Sequence, residues 1–291
     1  MKPLYATTLR SVATVLIVIL TILVALWLWR RYETDPWTRD GHVRADIVRV
    51  TPDVGGLITQ VAVRDNQAVK PGDVLFVVDR PRFALTLAQA DAAIQSARAT
   101  LLQARREAQR DLALGDLVAK ETHEQNVARV ATASAALAQA ESARSTAALN
   151  LDRTTVRASV HGTVTNLDLH PGDFIAAGAQ AMALVDTDSL RVEGYFEETK
   201  LGQIHLGDAV TVHLMGEPQA LKGHVDSIAA GINDAERTTT GNLLPNVNPT
   251  FNWVRLAQRI PVRVKLDQIP AGVSLIVGRT ATVTIVPRAA A

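Results

Sequence analysis

Hydrophobic positions fall into several distinct rhythms along this chain, and each rhythm predicts a different kind of element. From Val12 to Trp29 the text carries no charge: 18 consecutive residues, 12 of them Val, Leu or Ile. As a helix this run spans ~27 Å, the thickness of a bilayer's hydrocarbon core. It ends Trp27-Leu28-Trp29-Arg30-Arg31 with no small-x-small cleavage site, so it reads as a retained anchor over 12–29, with 1–11 before it, rather than a cleaved signal peptide. Over 50–79 the rhythm becomes alternation, with apolar residues at Val54, Leu57 or Ile58, Val61 and Val63, and turn formers at Asp65-Asn66 and Pro71-Gly72. Short strands joined by tight turns follow. The preceding 30–49 reads as a linker and lead-in strand.

The 50–79 text returns 106 residues later: Val156 falls on Val50, Val160 on Val54, Gly162 on Gly56, Thr165 on Thr59 and Gly178 on Gly72. Each copy is about 30 residues of strand with one apolar face, too little to fold alone, so 50–79 and 154–187 are expected to pack as halves of one β module. Gly56, Gly72, Gly162 and Gly178 read as turn glycines of that module.

Between the halves, 80–153 carries almost no helix breaker. Phe83, Leu87, Ala90, Ile94, Ala97, Leu101, Ala104 and Ala108 step by four and three, which is a coiled-coil seam. A second arm repeats it through Val130, Ala133, Leu137, Ala140, Ala147 and Leu151, with Arg144 interrupting. Pro81 suits a helix start, Thr122 to Gln125 has capping-box spacing, and Gly115 divides the segment into nearly equal arms. An antiparallel helical hairpin with a turn at Gly115 is predicted.

From Leu190 onward the segments LRVEGYF, AVTVHL, GHVDSIAAGI, WVRLAQRIPVRVKL and ATVTIV alternate between turn clusters. They predict a small antiparallel barrel or sandwich over 188–288. Residues 233–252 form a polar stretch too long for a plain hairpin loop. The fold class is therefore α+β and elongated: an N-terminal transmembrane helix, a split β module with an inserted hairpin, and a C-terminal barrel.

Composition narrows the function. The 291 residues include no cysteine, which excludes a disulfide scaffold, a thiol enzyme and cysteine-ligated zinc. Thirty basic against 29 acidic residues give a formal charge of +1, so nucleic acid is not an expected partner. Seven histidines show no helical i, i+4 pair, and His205, His213 and His224 could meet only across barrel strands. Glu197 and Glu198 point to opposite faces if they share a strand, which makes a poor acid/base pair. No Gly-x-x-x-x-Gly-Lys and no Gly-x-Ser-x-Gly occurs. No catalytic, cofactor or metal residue is expected, and the chain does not read as an enzyme.

The two β halves resemble the split biotinyl/lipoyl-like domain of membrane fusion proteins, the periplasmic adaptors of the HlyD-type secretion family. Where a carrier's acceptor lysine would stand, this chain has Asp79-Arg80-Pro81-Arg82, so a swinging-arm role is not implied. The turn from Arg110 to Lys120 resembles the adaptor tip motif: Arg110 and Leu114 match it, and Ala119 stands where the motif has serine. The resemblance implies that Arg110, Leu114, Gly115 and Ala119 form a tip that docks on an outer-membrane channel. Pro36 to Asp40, Glu197 to Leu201 and Trp253 to Val264 resemble the branch typified by the p-hydroxybenzoic acid efflux pump adaptor subunit. That likeness implies an N-terminus in the cytoplasm, a body in the periplasm and anchorage in the inner membrane. It also implies a transporter partner met by barrel residues such as Glu197, Glu198, Lys200, Arg255 and Arg259, a homo-oligomer (trimer or hexamer), and aromatic carboxylic acids or hydrophobic drugs as cargo. The alternative is a membrane-tethered dimeric coiled-coil scaffold of the cell envelope.

Overall fold

The computed structural model describes residues 3–29, 35–114, 119–232, 237–239, 245–247, 257–270 and 272–286, with side chains from position 13 onward and outside 237–247. The chain forms two compact units, 46–188 on the one hand and 1–45 with 189–291 on the other.

In the first of these units the predicted repeat is realised strand for strand. The first half supplies β2 (Ile47–Val50), β3 (Gly56–Val61), β4 (Ala68–Val69) and β5 (Val74–Val78). The second supplies β6 (Thr155–Arg157), β7 (Gly162–Thr165), β8 (Phe174–Ile175) and β9 (Met182–Asp186). They make two four-stranded sheets, ordered β2-β9-β7-β4 and β6-β5-β3-β8. Each sheet is the other with the halves exchanged, and the offset of 106 holds in the registers: Ile58 faces Val78 as Val164 faces Leu184, and Phe76 faces Val156 as Met182 faces Val50.

The exchange is anchored by matched main-chain bonds. Ile58 N–H donates to Asp173 O and Gly172 N–H to Ile58 O, both at 2.8 Å; Val164 N–H donates to Gln67 O and Asn66 N–H to Val164 O, both at 2.9 Å. The core duplicates as well, since Ile58 and Val164, Val69 and Ile175, Phe76 and Met182, and Val78 and Leu184 are all buried. Three turns reuse one device. In Lys70-Pro71-Gly72-Asp73, His170-Pro171-Gly172-Asp173 and His205-Leu206-Gly207-Asp208 the glycine has φ of +93, +100 and +81°, and an aspartate oxygen accepts the N–H of the residue three before it at 2.7–2.8 Å. Only glycine adopts that backbone without strain.

Gly72 and Gly178 are turn glycines with positive φ, but Gly56 and Gly162 are not. They open β3 and β7 and are buried where strands crowd: a Cβ on Gly56 would lie 3.0 Å from a Val78 methyl, and one on Gly162 2.5 Å from Val185 O. Glycine is there for close approach, not for turning.

The insert forms α2 (Arg80–Leu114) and α3 (Lys120–Arg153), of 35 and 34 residues. At 1.5 Å per residue each is ~50 Å long. Every position of the seam read on α2 is buried or half-buried, with Ile94, Leu101 and Ala104 the most enclosed. On α3 the same three-four spacing extends further than was read, through His123 and Asn126 to Val130 and beyond. Arg144 does not break it, because its side chain turns aside to Asp91 at 2.9 Å. The hairpin base is clamped to the module: Val78 N–H donates to Thr154 O, Arg82 to Gly55 O at 3.0 Å, and Arg153 pairs with Asp53 at 2.7 Å.

In the second unit, α1 (Pro3–Trp29) is helical. The 18-residue apolar run expected as an anchor reaches one residue beyond its described side chains, and among the described residues no helix is long and apolar enough to cross a membrane. A closed antiparallel barrel runs in the order β1-β10-β15-β12-β11-β16, with β16 returning to β1. Its strands are β1 (Trp37–Arg44), β10 (Arg191–Glu197), β11 (Ala209–Leu214), β12 (Leu221–Ile228), β15 (Arg259–Gln268) and β16 (Thr280–Val286). Inward residues alternate with outward ones, so Val192 and Phe196, Val212 and Leu214, Val262 and Val264, and Val283 and Ile285 fill the interior.

The stretch 30–49 is thus more than a linker, since β1 closes the barrel and β2 belongs to the split module. Its barrel role was hard to read because the β1 register shifts between Thr38 and Gly41, leaving Val43 as its one buried large apolar side chain. Within the polar stretch 233–252 the described residues pair as β13 (Arg237–Thr239) and β14 (Pro245–Val247).

Gly162→Ala should lower the melting temperature of the full-length protein in detergent, with a cost of about 1–3 kcal/mol because the neighbour it meets is main chain. Thermal unfolding by circular dichroism reads it, and an unchanged midpoint would mean that β7 and β9 do not approach this closely at Gly162.

Candidate functional site

Two surfaces carry the candidate residues. On the hairpin, Arg110 and Leu114 lie one helical turn apart near the end of α2 and are both exposed, Leu114 to 52%. Gly115 lies outside the described residues. Leu112, which the motif reading passed over, is exposed to 66%; its signal was simply a leucine off the predicted seam. Three large side chains in the last described turns of α2 thus lie without cover, and exposed apolar groups there suit a partner surface.

Ala119 is the N-cap of α3, with extended backbone (φ −64°, ψ 138°) and no side-chain hydrogen bond; the Thr122 N–H donates to its carbonyl at 2.9 Å. Thr122 lies inside the helix, so the capping box read from Thr122 to Gln125 is not the helix start. Where the motif has serine, this chain therefore leaves a cap position without an acceptor for the first-turn amides.

Just below the tip the seam turns polar. Asn126, only 7% exposed, donates through Nδ2 to the half-buried Asp111, and Glu107 pairs with Arg129 at 3.7 Å.

On the barrel, Glu197 ends β10 opposite Arg259. Lys200 lies 3.8 Å from Glu197 and 5.9 Å from the Trp37 ring centre, with its side chain 11% exposed. Arg259 pairs with Asp40, and Glu198 is exposed at the start of a 3₁₀ turn. Arg255 lies outside the described residues. Glu197, Lys200 and Arg259 are thus brought together with Asp40, Trp37 and Arg39, whose guanidinium stands 5.5 Å from the same ring.

Sequence reading missed a denser group on the same outer face. Glu193 is ringed by Arg191 at 3.2 Å, Arg263 at 3.4 Å and Arg44 at 3.9 Å. Its signal was the period-two run Arg191, Glu193, Tyr195, Glu197 on one strand face.

Among the described residues no group of three or more histidine, cysteine or acidic side chains is placed to hold a metal ion. His205, His213 and His224 do not converge: His224 sits opposite Ala209, four residues along β11 from His213, and pairs with Asp267 at 2.7 Å.

Comparison with known proteins fits this geometry. Residues 46–187 match the barrel-sandwich hybrid domain of RND membrane fusion proteins, and 189–286 match the AAEA-like beta-barrel domain. The fold is similar to the membrane fusion protein Spr0693 of Streptococcus pneumoniae R6, at 16% identity and a TM-score of 0.65, over 86% of this chain and 98% of that one. It is similar to MacA of Actinobacillus actinomycetemcomitans, at 19% identity and TM-score 0.61, over 88% and 82% of the two chains. ZneB of Cupriavidus metallidurans aligns at 24% identity and TM-score 0.54, over 87% and 99%.

Ala119→Ser should supply the missing cap and stabilise α3 by about 1 kcal/mol. Hydrogen exchange of the first-turn amides of α3 should slow accordingly, and unchanged exchange would mean that the N-cap geometry is wrong.

Proposed function

Because the chain belongs to the membrane fusion protein family of efflux adaptors, we propose that it is the periplasmic adaptor of a tripartite pump, held in the inner membrane and linking a transporter there to an outer-membrane channel. The observation that carries this reading is the hairpin itself: an arm ~50 Å long, clamped at its base by Arg82 and Arg153 and ending in exposed Arg110, Leu112 and Leu114. Such an arm supplies reach and a docking point, and no catalytic group is needed. The family match disfavours the plain scaffold, which needs neither a split module nor a barrel.

The anchor is supported by α1. All its described large apolar side chains from Val15 to Trp29 are exposed, by 42–69%. An apolar helix without protein cover is stable in lipid and costly in water. Cargo of aromatic carboxylic acids or hydrophobic drugs is supported by the blocks at 197–201 and 253–264 and by the AAEA-like barrel match. Several copies, three or six, would surround one conduit, with the transporter supplying the energy.

Leu114→Asp should abolish export of p-hydroxybenzoate while leaving the melting temperature unchanged, because a charge would be pressed into an apolar docking surface. Wild-type export in that variant would remove the docking role of the tip. Ile19→Arg should cost ~2.5–3.5 kcal/mol of insertion. A membrane fraction unaffected by it would argue against a single-pass anchor.

A further inference from the structure

Four polar links join α2 and α3 across the hairpin: Asp91 with Arg144 at 2.9 Å, Arg98 with Glu141 at 3.6 Å, Glu107 with Arg129 at 3.7 Å, and Asp111 with Asn126. In an antiparallel pair the numbers of facing residues have a constant total. Here the totals are 235, 239, 236 and 237, so all four links belong to one register.

The apolar seam selects that register weakly, because it is rich in alanine and repeats every seven residues. A slip of one heptad sets Ala97 instead of Ala104 opposite Ala133, one methyl exchanged for another. The polar links do not survive it. A slip in one direction brings Asn126 against Ala104 and Arg129 against Leu101. A slip in the other brings Asp111 against Ala133 and Glu107 against Leu137. Leaving a buried amide or carboxylate without a partner is penalised far more than an exposed ion pair is worth, so the links discriminate registers better than they stabilise the hairpin.

We infer that these links, Asp111 with Asn126 foremost, are positioning residues that select the hairpin register and thereby fix which residues stand at the tip. A heptad slip moves the centre of the turn by three to four residues, and the slip that sets Asn126 against Ala104 carries Leu114 from the helix flank into the apex. The register holds independently of what docks there; its effect on export rests on the adaptor reading above.

The cysteine-free chain allows a direct test on the full-length protein in detergent. Paired cysteines at Ala104→Cys/Ala133→Cys report the native register, and Ala97→Cys/Ala133→Cys the slipped one. Disulfide formation should be at least tenfold faster in the native pair. Adding Asp111→Leu and Asn126→Leu, with Asp91→Ala, Glu107→Ala and Glu141→Ala, so that all four links are removed, should bring the ratio within about threefold while helical circular dichroism is retained. Exchanging the charges, Glu107→Arg with Arg129→Glu in the otherwise native chain, should keep the tenfold preference. A tenfold preference persisting in the stripped variant overturns the inference, and so does loss of its helical signal, since the links would then be stabilising and not selective. If the ratio collapses but export of p-hydroxybenzoate stays at wild-type level, the register assignment stands and tip docking falls.

Discussion

The main-chain exchange between the two half-modules is the constraint on which the other features of that unit depend. Ile58 sends its N–H and carbonyl to the turn at Gly172-Asp173, and Val164 sends its own to the turn at Asn66-Gln67. Neither half can satisfy its central strand or close its core alone, since an unpaired buried amide or carbonyl is as costly as a lost hydrogen bond. The chain must therefore return, whatever lies between. Loop-closure entropy grows only slowly with length, so an insert of this size is tolerated. Its geometry also follows: β5 pairs with β6, so the insert leaves and re-enters on neighbouring strands, with Val78 bonded to Thr154. Two helices that begin side by side can bury their apolar stripes only against each other, and an antiparallel hairpin results.

Charged side chains on the barrel's outer face pair with one another. Glu197 with Lys200 and Arg259 with Asp40 neutralise one another, and Lys200 is nearly covered. Glu193 draws three guanidinium groups to one carboxylate. At exposed sites such pairs contribute roughly 0–1 kcal/mol each, so their effect lies in orientation: they hold long side chains in fixed positions on the strands and define a patterned outer face.

Much of this was legible because the patterns were long. The offset of 106 set whole strands in register, and seven successive steps of three and four marked the seam of α2. What escaped reading was short or irregular. β1 has a register shift and one buried large side chain. Gly56 and Gly162 look like any other glycine until the strand opposite is known. The polar end of the α3 seam was hidden because His123 and Asn126 do not count as hydrophobic, although they occupy the seam spacing. At the tip, Arg110 and Leu114 were found through a motif, whereas Leu112 and the bare cap at Ala119 needed the helix boundaries to be visible.

The hairpin thus separates two properties that most helical pairs combine. Leucine-rich seams gain stability and register from the same side chains, because large knobs fit only one set of holes. A seam in which alanine alternates with larger side chains gives close approach with little buried area, so heptad-spaced alignments differ less in packing than they would in a leucine-rich seam. The information missing from the seam is carried by polar groups at its margins and near its end, where a mismatch strands a charge or an amide against a methyl. That arrangement keeps the arm thin, leaves much of its surface outside its own core, and still fixes the position of its last turn relative to the base.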